Sequence, residues 1–262
     1  MDFELLLDLW DILLLIFIRV TGLFVVSPLF GRRNIPAYYK VCFSFLFAII
    51  LTYIVPVPDL GSYNSLLAFV LLAGKEFMVG LMLGYISYFI TTAIYIAGQM
   101  IDMHIGFGMV NVFDPVTNIQ IPITSNVYYI IAMMMLLIID GQHLIILSLV
   151  DSFTLFPIGS KIVLDQSLID FSIDIITSVF TISFKIAAPI TAAILIADIA
   201  LGIIAKTVPQ MNVFVVGMPL KILVGLIVIF ATLGTFRNIV HVLMGGMYEE
   251  MLKFLGVIRG GY

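Results

Sequence analysis

The chain has 262 residues, 62% of them hydrophobic and 11% charged, with a formal net charge of −4 and a mean hydropathy of +1.21. Soluble domains carry roughly 25% charged residues, so this composition excludes a soluble globular protein and defines an integral membrane protein. The charge is dispersed, with no basic stripe to neutralise a phosphate backbone, which argues against nucleic acid as a partner, and the lone Cys42 excludes an internal disulfide or a multi-cysteine metal site.

Apolar runs cover residues 5–28, 38–55, 65–103, 124–156, 167–206 and 213–256, and the windows 77–101 and 115–139 contain no Asp, Glu, Lys or Arg. About 20 apolar residues cross a hydrocarbon core about 30 Å thick, whereas a barrel strand is a run of about 10 alternating residues, so the fold is all-α. No linker or low-complexity tract separates the runs, and the chain reads as one membrane unit. The first run opens on Asp2, Glu4, Asp8 and Asp11, where a signal peptide would be basic, and is expected to be a retained helix.

The connection between the first two runs carries Arg32, Arg33 and Lys40. Basic loops stay on the cytoplasmic side, which puts the acidic N-terminus outside. Six crossings would then leave the tail with Lys253 and Arg259 on the wrong side, so one run is expected not to cross. The third run is too long for a single simple span, about 58 Å at 1.5 Å per residue. Gly74, Gly80, Gly84 and Gly98 offer break points in it, and Asp140-Gly141 offers another in the fourth run. GLMLG at 80–84 also permits close helix contact.

Arg19, Glu76, Asp140, Lys185 and Asp198 lie inside apolar runs, with Lys75 beside Glu76. An isolated charge there costs at least a few kcal/mol, so each is expected to face protein or water and to have a partner. A proton or ion relay is one reading. Pairing across helices, or snorkelling of basic side chains at helix ends, is the other, and it is favoured by the mixed signs and by the lack of a repeat on one helical face.

Residues 106–122, GFGMVNVFDPVTNIQIP, combine backbone breakers with many large apolar side chains. Irregular backbone of that kind is tolerated at membrane depth only where it is buried in protein or lines a cavity. Residues 206–221, KTVPQMNVFVVGMPLK, lie between two apolar runs of hairpin length and predict a helical hairpin whose tip is only partly polar. Pro209, Gln210, Met211, Asn212 and Phe214 at that tip suit a subunit contact better than open water. For catalysis the chain offers little. No HExxH, GxSxG or P-loop pattern places a metal, nucleophile or phosphate, so neither enzymatic activity nor a cofactor is expected. Asp140 and His143 stand at i, i+3, but DGQH reads more simply as a polar turn ending a helix.

PQMNVFVVGMP at 209–219, SPLFGRRNIP at 27–36, KEFMVGLMLG at 75–84, AGQMIDMHIGFGMVNVFDP at 97–115 and DGQH at 140–143 together resemble the FliR family of flagellar export-gate proteins and its injectisome counterpart SctT. The resemblance runs from about residue 10 to 250. Many members carry Gly-Glu where this chain has Lys75-Glu76, so Glu76 matches and Lys75 is a local variation. The resemblance implies one FliR joined to several copies each of FliP and FliQ in a conical gate of the bacterial cytoplasmic membrane, at the flagellar basal body, with FlhB and FlhA as further partners. Exported flagellar proteins would pass through it, and membrane lipid would surround it. It further implies a FliP-like part over about 1–170, a FliQ-like hairpin over 175–245, and a cytoplasmic C-terminus. In such a gate, residues 106–122 would be a pore plug, with Gly106, Phe107, Gly108, Met109, Val110, Phe113, Asp114, Pro115, Ile119 and Pro122 as its site residues. An ordinary buried connecting loop is the alternative. A small-solute transporter remains a further reading of the broken helices and buried charges.

Overall fold

The computed structural model describes residues 3–32, 34–55, 66–107, 122–163, 165–210 and 212–260, with side-chain surroundings from Leu9 onward. Among these the elements are all helices, joined by turns: α1 Phe3–Val26, α2 Ala37–Thr52, α3 Leu66–Ile105, α4 Ile123–Ile138, α5 Gly141–Leu155, α6 Gln166–Thr207 and α7 Val213–Arg259. Four of them, α1, α3, α6 and α7, are long and apolar enough to cross a membrane, and α4 with α5 makes a fifth span if the bent pair is counted as one. At 16 residues, α2 is apolar but shorter than the helices that qualify singly.

The chain folds as two compact units, each discontinuous in sequence: 1–90 with 139–175 and 244–262, and 91–138 with 176–243. In the first, α1 buries Ile12, Leu15, Ile16, Val20 and Leu23, a row at helical spacing. Val79 and Leu83 of α3, Ile145 and Leu149 of α5, and Met244, Met247 and Met251 at the end of α7 are buried in the same unit. Hydrogen bonds tie that end down: Tyr248 Oη donates to Asp151 Oδ2 at 2.6 Å, and the amide of Val163 donates to the Ile258 carbonyl at 3.0 Å.

In the second unit, Tyr128 of α4 stacks on Phe236 of α7 with centroids 4.3 Å apart, and Ser183 of α6 donates to the Ala93 carbonyl of α3 at 2.8 Å. The α6–α7 hairpin has a definite register. Asp198 pairs with Lys221, Leu201 lies against Gly217, and Ile194 lies against Gly225. Each pair is symmetric about Pro209-Gln210, so the two helices run antiparallel from that turn.

The third run does not break at its glycines. α3 is one 40-residue helix, and Gly80, Gly84 and Gly98 serve instead as places where another backbone comes close. A Cβ on Gly80 would collide with the Arg19 carbonyl of α1, one on Gly84 would meet the Leu23 carbonyl, and one on Gly98 would meet the backbone of Ser125 in α4. Gly22 reciprocates from α1, facing the Phe77 carbonyl and the Leu81 amide. Within a helix the hydrogen-bond ladder holds a glycine in place, and the missing side chain lets helices pack closely. The fourth run does break at Asp140, which has φ 57° and ψ 30°. Asp tolerates this left-handed conformation because its short polar side chain bonds locally.

Alanine is ordinarily a better helix former than glycine by about 1 kcal/mol. Gly74, with open space around it, should therefore accept Gly74→Ala with unchanged or raised thermal stability. Gly80→Ala should lower both the melting temperature and the yield of folded chain, by overpacking worth roughly 1–3 kcal/mol. Equal melting temperatures for the two variants would show that α1 and α3 do not cross at Gly80.

Candidate functional site

The most enclosed polar cluster of the first unit is built around Arg19, whose side chain is wholly buried. Position 19 falls on the inward face of α1, between Ile16 and Val20 on one side and Leu23 on the other, so the helix carries the guanidinium into the core. Its Nε donates to Glu76 Oε2 at 2.7 Å, and Nη2 forms an ion pair with the same oxygen. On the other edge, Nη1 donates to the carbonyls of Ser152 and Phe156, each at 3.0 Å, and approaches Ser152 Oγ at 3.1 Å. The Phe153 ring lies under the guanidinium, its centroid 4.4 Å from Cζ. Arg19 thus uses its planar fork fully: a carboxylate on one side, two carbonyls at the C-terminal end of α5 on the other, and an aromatic face below.

Glu76 is equally buried, and its second oxygen lies 3.8 Å from Lys75 Nζ and 3.5 Å from the Gly159 amide. Lys75 in turn donates to the Ser160 carbonyl at 2.8 Å. The variation at Lys75 therefore has a structural use, clamping the turn after α5, where Gly159 takes φ 89°. Neither Ser152, Phe153, Phe156 nor the 159–160 turn could be assigned to Arg19 from the sequence, because they lie 133 residues and more away in the chain.

The other three charges are placed differently. Asp140, Lys185 and Asp198 are exposed on this chain rather than buried. Asp140 sits at the helix break, where Oδ1 lies 3.5 Å from His143 Nδ1 and accepts from Gln142 Nε2 at 3.1 Å. Both Asp140 and His143 are about three-quarters exposed, at 73% and 74%, in an open polar turn. Asp198 pairs with Lys221 across the hairpin. Lys185 stands at the edge of a small cavity lined by Tyr128, Pro189, Thr232 and Thr235. Of the five charges, Arg19 and Glu76 pair with each other, while Asp140 and Asp198 have partners outside the five.

At the hairpin tip, Pro209, Gln210, Asn212 and Phe214 are all exposed. Asn212 caps α7: its Oδ1 accepts from the amides of Phe214 at 3.2 Å and Val215 at 3.4 Å. Met211 lies outside the described residues. So do most of the plug positions, Gly108, Met109, Val110, Phe113, Asp114, Pro115 and Ile119. The ends of that segment are described. Gly106 has φ 94°, a conformation suited to glycine, and Gly106, Phe107 and Pro122 are half-buried. Asp102, 5% exposed, accepts the amides of Thr124 at 3.0 Å and Ser125 at 3.3 Å. The carboxylate thus caps the N-terminus of α4 from α3 and holds the two ends of the segment together.

These features define a polytopic α-helical membrane protein in which the enclosed charge holds helices together. Its sequence matches the family described as bacterial export proteins, family 1, over residues 10–247. It is 35% identical to the flagellar biosynthetic protein FliR of Bacillus subtilis over 257 residues, covering 96% of this chain and 97% of that protein. It is 28% identical to the FliR of Aquifex aeolicus, covering 92% and 91%, and 24% identical to that of Escherichia coli, covering 80% and 79%. The chain belongs to the FliR family of bacterial flagellar export proteins.

Removing one partner of a buried ion pair costs about 3–5 kcal/mol, because the other charge is left desolvated and alone, whereas an apolar pair of similar volume is tolerated far better. Arg19→Met and Glu76→Met should each sharply reduce membrane yield and melting temperature, and the double variant should recover much of both. A double variant as impaired as the sum of the singles would show that the two side chains act independently.

Proposed function

We propose that this chain is a core subunit of the flagellar type III export gate, assembling with several copies of FliP and FliQ into the channel through which unfolded flagellar subunits leave the cytoplasm. The observation that carries the reading is the mismatch between helix length and exposure. α3, α6 and α7 run for 40, 42 and 47 residues, about 60–70 Å each and twice what a bilayer requires. They also leave rows of large apolar side chains uncovered, such as Ile169, Ile173, Ile176, Phe180 and Phe184 on α6. Parts of such rows beyond the bilayer need other protein against them. The relatives named above are flagellar proteins, which favours a flagellar gate over an injectisome gate.

In this reading residues 1–170 form the FliP-like part and 175–245 the FliQ-like hairpin, whose exposed tip at Pro209–Asn212 meets a neighbouring subunit. FlhB and FlhA are further partners. The gate sits in the cytoplasmic membrane at the flagellar basal body. The role is non-enzymatic: the chain guides and seals, and energy comes from other components. Residues 106–122 plug the lumen with apolar side chains that exclude water when no substrate passes, and Asp102 fixes the base of the plug. The run that fails to cross is the short α2. Five crossings by α1, α3, the α4–α5 pair, α6 and α7 then bring an external N-terminus to a cytoplasmic C-terminus, in accord with Arg32 and Lys40 on the cytoplasmic side.

Removing residues 110–118, or replacing Met109, Phe113 and Ile119 with serine, should raise ion permeability in cells carrying the full gate while FliP and FliQ still co-purify. Lower complex yield with baseline conductance would instead identify a structural brace and end the plug assignment. Independently, a reporter fused after Tyr262 should score as cytoplasmic; an external score would overturn the crossing order.

A further inference from the structure

The aromatic corner where α1 meets α2 is unlike the rest of the first unit. Phe24, Phe30, Phe43 and Phe47 form one ring cluster, with centroids 4.7 to 5.9 Å apart along their contacts. Between them lies an open groove of about 200 Å³ lined by Phe24, Phe30, Ile35, Tyr39, Lys40 and Phe43. Its walls are apolar and stiff. At its edge stands Lys40, which forms no ion pair among the described residues, and Arg32 is exposed in the same connection. Between Ile12 and Pro58 the chain contains no Asp or Glu, and its charges there are Arg19, Arg32, Arg33 and Lys40. Glu76 is already engaged by Arg19 and Lys75. No carboxylate of this stretch can answer Lys40.

α2 itself explains what kind of ligand fits. Its buried face is narrow, Ser44, Ala48 and Leu51, while Phe43, Leu46 and Ile50 are exposed at 41%, 57% and 56%. The tyrosines Tyr38 and Tyr39 sit at its N-terminal end with rings 4.5 Å apart. One end is cationic and bears phenols, and the remainder is apolar, which is the profile of a helix that dips from headgroup level into the acyl chains without crossing. We propose that this groove binds one anionic phospholipid, with an acyl chain laid between Phe24, Phe30 and Phe43 and the headgroup phosphate held by Lys40. An apolar protein helix would satisfy the rings but would leave Lys40 without an anion. A zwitterionic lipid would place its own cation beside the lysine. The phosphate-bearing anionic lipid satisfies both ends at once.

The test uses the complex purified from native membranes in mild detergent, then exposed to an equimolar mixture of phosphatidylglycerol and phosphatidylcholine and analysed by native mass spectrometry. The intact complex should retain phosphatidylglycerol preferentially. Lys40→Gln should lower that preference by about fivefold, the factor attached to one lysine near an anionic lipid surface. Ile35→Trp, which fills the groove, should abolish retention of both lipids. As a direct readout of what occupies the groove, a photoreactive benzoylphenylalanine in place of Phe43, one of its lining rings, should crosslink to lipid. Equal retention of the two lipids, an unchanged preference in Lys40→Gln, or a crosslink from position 43 to a protein subunit would each overturn the proposal.

Discussion

A guanidinium with no access to water must be paid for by everything around it, and in this molecule that demand organises the first compact unit. Arg19 needs an anion, further acceptors for its remaining N–H groups and a surface for its flat face. It takes the anion from α3, the acceptors from the end of α5 and the face from Phe153. Three segments far apart in sequence are thereby fixed against one another. Glycines make this geometry reachable: without Gly22 and Gly80 the backbones of α1 and α3 could not approach as they do at this level. Apolar packing supplies the bulk of the attraction between these helices but is tolerant of sliding. The directional hydrogen bonds of the charged cluster select one register among many similar ones.

The second unit solves the same problem with less charge. Its helices are registered by small-residue contacts at Gly98, Gly217 and Gly225 and by the Asp102 cap on α4. The ion pair of the hairpin between Asp198 and Lys221 is partly exposed, and such pairs contribute little to stability in water. In an apolar environment it would matter more, because neither charge could be left alone there. The contrast between the enclosed cluster of one unit and the open pair of the other follows from what each helix face meets within this chain.

Much of the fold was legible because hydrophobic length is a one-dimensional property. Six apolar runs became helices with boundaries close to those expected, and Asp140-Gly141 marked a true break because the left-handed conformation is a local matter decided by residue type. The glycines of α3 were ambiguous for the opposite reason. A glycine that ends a helix and one that admits a neighbour look alike until the neighbour is known. Asp140, Lys185 and Asp198 are exposed on this chain, because an apolar run says that a residue lies on a greasy helix but not which way it points. The need of Arg19 for a partner could be read, yet its acceptors at Ser152 and Phe156 carry no signal of their own, being main-chain carbonyls. Family resemblance pointed to Glu76, and geometry alone explained Lys75. The segment between Phe107 and Pro122 was conspicuous by its composition, and what the fold adds is the pinned base at Asp102.

Sequence distance also has a meaning in time. Glu76 follows Arg19 by 57 residues, and Ser152 follows it by 133. At a synthesis rate of about 5–20 residues per second, the first helix waits on the order of 3–11 seconds for its counter-ion and longer for its carbonyl acceptors. During that interval the Leu- and Ile-rich remainder of α1 must hold an unneutralised cation in or near the bilayer, each such residue offsetting only a few tenths of a kcal/mol. The first helix is therefore provisional at birth: its position becomes final only when α3 arrives, and the order of emergence from the ribosome is part of how this subunit is built.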